Sequence, residues 1–215
     1  MDTTSSMSAN TYIDSKTLEI NYSGDQTTLV GVKSEPQEDP PYAGINWPKV
    51  SLFQVDHSSF IGYRVEAVSL TINAEQVDAY DKLCYLGGVN KPWVEEEVTW
   101  THRNVTEYWD STDVHLPSPS LGFGVDDKDG TFWWSGYINT TGSHTLEFNS
   151  DGVNNFKEIL NGTRPNYGWF LQGVTEEGEE WVKVLTSSYS DTTENRPYLT
   201  LDYKPMSIAM MITNR

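Results

Sequence analysis

The feature that most constrains this chain is a period-two alternation of apolar and polar residues, in short runs cut off by turn residues. Across residues 64–73, Val68, Leu70 and Ile72 fall on one face and Ser69 and Thr71 on the other, the pattern of a strand with one buried side. Residues 27–32, 49–55, 83–86, 131–137, 143–148, 167–172, 181–186 and 198–203 read as further strands. Leu146 and Phe148 take the inner face of one; Val182 and Val184 alternate in another. Turn chemistry separates the runs: Ser23-Gly24-Asp25, Gly87-Gly88, and a loop over 35–48 whose Asp39-Pro40-Pro41 cannot join a central strand. Short strands so spaced predict an all-β fold, an antiparallel β-sandwich of jelly-roll type. One short helix is expected over 152–160. Ser150 or Asp151 can cap it, Val153, Phe156 and Leu160 share a face, and Asn161-Gly162 supplies a left-handed stop.

Eight Trp and twelve Tyr in 215 residues supply enough apolar ring surface to offset chain entropy. Trp93, Trp100, Leu70, Ile72, Phe148, Phe156, Leu199 and Leu201 are the expected core. Asp and Glu number 31 against 14 Lys and Arg, a net charge of −17. Such a surface repels phosphate backbones and anionic bilayers, so neither nucleic acid nor membrane is expected as a partner. Cys84 is alone, which excludes an internal disulfide and reads as a buried thiol. Residues 1–10 are polar, without the apolar segment of a Sec signal peptide, and the apolar run 206–213 is too short to span a bilayer. The expectation is a protein assembled inside a cell and found on a virion surface, or outside after lysis.

No GxSxG, Walker or GxGxxG motif is present. His57, His102, His115 and His144 are scattered without zinc-ligand spacing. No catalytic residues are therefore assigned, and no enzyme is expected. Trp133, Trp134 and Tyr137 are the candidate contact residues. Neighbours on a strand point to opposite faces, so one of the two indoles is expected outside, against a glycan or a protein partner; packing beneath a loop is the alternative. Trp93 and Trp100 bracket an acidic turn and read as core pegs rather than a sugar platform. Asp126, Asp127 and Asp129 form a candidate structural calcium site through carboxylate oxygens, set against a solvated turn; no other cofactor is expected. Asn104, Asn139 and Asn161 head sequons of a kind frequent by chance. In the tail, Ile208, Met210, Met211 and Ile212 could form one more strand of the chain's own sheet or join a neighbour's edge.

Asn10-Thr-Tyr-Ile13, Asn21-Tyr22-Ser-Gly with Thr28-Leu-Val-Gly31, the strand pair 49–56 and 65–72, and Trp93-Val-Glu-Glu-Glu-Val-Thr-Trp100 follow one another along the chain, and residues 146–162, 166–171 and 195–203 continue the series. In this order the segments resemble the DNRLRE domain, a family overlapping disaggregatase-related repeats and carbohydrate-binding modules of polysaccharide lyases. The basic residue usual in the first strand of that pair is missing from 50–54, and 104–129 looks like an insertion. The resemblance implies a jelly roll with surface or glycan-related roles and no catalytic apparatus. The organisation expected is an N-terminal arm over 1–9, one domain over 10–205, and an apolar tail over 206–215. Two functions compete: a structural component of a virion surface (decoration, turret or fibre) partnered by its own copies or other structural proteins and touching glycan, or a carbohydrate-binding module for a polysaccharide.

Overall fold

A computed structural model describes residues 2–14, 21–33, 47–61, 63–77, 82–113, 120–173, 180–186 and 193–205. The strands are β1 (Asp2–Asp14), β2 (Thr27–Lys33), β3 (Trp47–Val55), β4 (Tyr63–Val77) and β5 (Lys82–Val89), followed by the short pairs β6 (His102–Asn104) with β7 (Glu107–Tyr108) and β8 (Ser111–Asp113) with β9 (Ser120–Gly122). Then come β10 (Lys128–Ile138), β11 (Gly142–Glu147), the helix α1 (Ser150–Leu160), β12 (Trp169–Gly173), β13 (Glu180–Leu185) and β14 (Tyr198–Pro205). Every pairing among them is antiparallel. The fold is an antiparallel β-sandwich of jelly-roll type with one α-helix among the described residues.

One layer runs β11–β4–β14–β1, the other β1–β3–β12–β5–β10. β1 belongs to both: Asp2–Ser6 pair with β14, and Met7–Asp14 pair with β3. Residues 2–9, expected as an arm, are therefore the first half of a corner-turning strand. Their Ser/Thr-rich run carries too little apolar alternation to announce itself. The layers are joined again through β4–β13–β2–β3.

Alternation places the main core where the sequence puts it. Val68, Leu70 and Ile72 of β4, Leu146, Leu199, Leu201, Val182 and Val184 all turn inward and are buried. Opposite them stand Phe53, Val55, Cys84, Leu86, Trp169 and Leu171. Helix α1 closes one end with Val153, Phe156 and Leu160. Its cap is Asn149, not Ser150 or Asp151: Oδ1 of Asn149 accepts from the amides of Asp151 and Gly152. The cap falls one residue early because the amide of Asn149 donates to the carbonyl of Trp133 (2.7 Å) and its Nδ2 to that of Phe132 (2.7 Å), pinning it extended beside β10. Gly162, at φ 73°, ends the helix as expected.

A second core lies on the opposite face of the β3–β12–β5 layer. Val50, Leu52, Phe170 and Val89 point away from the sandwich interior and are covered by Trp93, Val98, Trp100, Trp109 and Phe123. Trp93 and Trp100 are thus core pegs, and every residue named above as expected core is buried. The stretch read as an insertion supplies much of this cover. Trp109, fully buried, donates from Nε1 to the carbonyl of Thr99 (3.0 Å) and packs edge-on to Phe123. Among the described residues, no helix is long and apolar enough to cross a membrane.

Candidate functional site

Where the cover over β3–β12–β5 stops, the outer face of the layer is left open. Leu83, Tyr85, Gly87 and Val89 of β5 alternate onto this face, as Phe170 and Gln172 of β12 do. Across the strands, Gln172, Tyr85 and Ser135 are in register, and in the next row so are Phe170, Gly87 and Phe132. Tyr85 and Phe132 stack, with ring centroids 4.4 Å apart and planes inclined by 20°. Beside them is a groove of about 400 Å³ lined by Tyr85, Phe132, Lys128, Asp129, Gln172 and Val125, among others.

Lys128 is the most unusual member. Its ammonium lies over the rings of Phe123 (4.9 Å to the centroid) and Phe170 (5.3 Å), both belonging to the second core. It donates to Oε1 of Gln172 at 2.6 Å. Burial pushes its pKa down to about 8, opposed by the negative charge of Asp127. At the lip, Oδ2 of Asp129 accepts from Nη2 of Arg164 (3.0 Å) and from Nε1 of Trp133 (3.3 Å). Arg164 is held in turn by Asn155 and Asn90.

The expected contact residues separate. Trp133 is fully enclosed, and Trp134 is half-buried against the same main core. The expectation of one outward indole fails because the ladder slips. From Phe132 to Trp134, β10 advances two residues while β5 advances one, from Gly87 to Leu86. This bulge lets two consecutive side chains lie on one side of the layer. Tyr137 is exposed, as a contact residue must be, and with it Phe132, which was not singled out; 59% and 49% of their surfaces are open. Lys128, Gln172 and Tyr85 were missed as well. Tyr85 lies in a recognised strand, but it shares its face with Leu83, Gly87 and Val89, which does not mark it as outward, and nothing local marks Lys128.

The three aspartates do not converge. Asp127 is buried, with Oδ1 accepting from the amide of Asp110 (2.9 Å) and Oδ2 from that of Gly124 (3.1 Å), while Asp129 faces Arg164. Among the described residues no three His, Cys, Asp or Glu side chains gather as a metal site. The tail residues Ile208, Met210, Met211 and Ile212 lie outside the described residues, and with them the principal motive for an assembly role. A second depression of about 370 Å³, on the outer face of β11–β4–β14, is lined by Ser69, Glu147, Thr200 and Asp202 among others and is without an exposed ring.

No family model matches this chain, and no curated protein matches it either.

Proposed function

We propose that this chain is a non-catalytic surface-binding domain whose ligand is a saccharide, held in the groove beside the Tyr85–Phe132 pair. The observation that carries the reading is the combination in one open groove of a half-exposed aromatic face with fixed polar groups. Apolar sugar faces stack on aromatic rings, while ring hydroxyls need donors and acceptors at set positions. Phe132 supplies the face; Gln172, Lys128 and Asp129 supply the polar groups. The Tyr85–Phe132 stack and the Lys128–Gln172 hydrogen bond hold them in place, so little rotamer freedom remains to be lost on binding. The carboxylate in the groove lining, that of Asp129, is engaged by Arg164, which supports binding rather than acid–base chemistry. The resemblance of the sequence to glycan-related modules points the same way.

An array of neutral and acidic plant, algal and bacterial polysaccharides tests this. The chain is expected to retain at least one of them, and Phe132→Ala to weaken that binding about tenfold, on the order of 1.4 kcal/mol, with the circular dichroism spectrum unchanged. Failure to bind any polysaccharide, or binding indifferent to Phe132→Ala, sinks the reading.

A further inference from the structure

We propose that the groove is built for an acidic saccharide, whose carboxylate seats on Nζ of Lys128 beside Gln172 while a sugar ring lies against Phe132. This rests on the saccharide-binding reading and names its substrate class. Withdrawing an ammonium from water is costly unless a counter-charge meets it. The ammonium of Lys128 sits above two apolar rings, and its hydrogen bond goes to a neutral amide. Among the described residues no carboxylate lies within ion-pair distance of it. The nearby acids have other work. Asp129 answers to Arg164 and Trp133, and Asp127 to the amides of Asp110 and Gly124. The site therefore presents a fixed, poorly solvated positive charge with space beside it, on a chain whose net charge is −17. A neutral sugar leaves that charge answered only through space by Asp127, whereas a uronate-type carboxylate meets it directly with a charge-assisted hydrogen bond. The overall negative charge slows the approach of a polyanion but is screened by salt over about 8 Å at physiological ionic strength, while the contact pair is screened far less.

Titration sharpens the test. Lys128, with a pKa of about 8 in the free chain, must be protonated to hold a carboxylate. The titratable groups around it are Asp127, whose charge acts on it directly, and Asp129 and Tyr85, which line the same groove. Binding should be constant below pH 8 and weaken above it, by up to about tenfold per pH unit, because a proton must be taken up.

The experiment compares polygalacturonate, hyaluronate and alginate with the carboxyl-reduced form of each, by calorimetry on the full chain at pH 7 and pH 9.5. The proposal expects at least one acidic polymer to bind at least about tenfold tighter than its reduced form. Lys128→Met should erase that preference, Lys128→Arg should keep it, and the acidic polymer should bind more weakly at pH 9.5. Equal binding of acidic and reduced polymers overturns the inference and leaves the saccharide reading standing. Binding of none of the six, alongside an array without hits, removes both. Should Lys128→Met not fold, the Lys128→Arg variant and the pH pair still decide.

Discussion

The indole of Trp133 occupies the space that a side chain at Gly88 would need. A Cβ built on Gly88 would lie 2.8 Å from Cζ2 of Trp133, and one on Gly152 would lie 2.6 Å from its Cβ. The bulge in β10, which turns Trp133 inward, thus depends on a vacancy in β5 and another in α1. The exposure of Phe132 follows from the same slip.

Gly88→Ala is expected to destabilise the fold by about 1–3 kcal/mol, the usual cost of overpacking. Combining it with Trp133→Phe should recover part of that loss, because the smaller ring vacates the contested space. Urea midpoints of the two single variants and the double variant check this; strict additivity would show that the two side chains do not compete.

Trp109→Ala should cost about 3–5 kcal/mol, as truncation of a fully buried aromatic does. The loss should fall first on the cover. Hydrogen exchange is expected to accelerate across residues 93–110 while β4 and β14, in the other layer, stay protected. Uniform acceleration would mean that the second core is not a separable unit.

Lys128→Met should stabilise the chain at pH 7 by about 2 kcal/mol, since it removes a desolvated charge while keeping the stem over Phe123 and Phe170. The folded pKa lies below the unfolded one, so the unfolded state binds more protons between about pH 8 and pH 10.5. Wild-type stability should therefore rise with pH across that window, and the advantage of the variant should shrink. Chemical denaturation at pH 7, 8.5 and 10 measures the slope; a constant difference would show that Lys128 is well solvated.

Calcium should leave the melting temperature unchanged. The carboxylates of Asp127 and Asp129 already accept from backbone amides, Arg164 and Trp133. A site of micromolar affinity would add about 4 kcal/mol at about 1 mM calcium. A rise of that kind, reversed by chelator, would show that the aspartates rearrange around the ion.

By itself the sequence determined the strands that alternate clearly, their inner faces and the helix, but not β1 or the short pairs β6–β7 and β8–β9. Val68-Ser69-Leu70-Thr71-Ile72 is buried on its apolar side, and Val153, Phe156 and Leu160 line the inner face of α1. These follow from side-chain spacing along a single segment, which is a local property of the chain. The candidate site was not local. Phe132 and Tyr137, rather than an indole, face outward because β10 slips one residue against β5, and that slip is tolerated because Gly88 and Gly152 leave room for Trp133. Lys128 is an ordinary lysine in the sequence. It becomes a desolvated cation only where Phe123, Phe170 and Gln172 meet beneath it, brought together by a strand pairing and a covering loop. Only the tertiary structure could decide this, because desolvation is set by what surrounds a group in space, and those neighbours come from other segments of the chain.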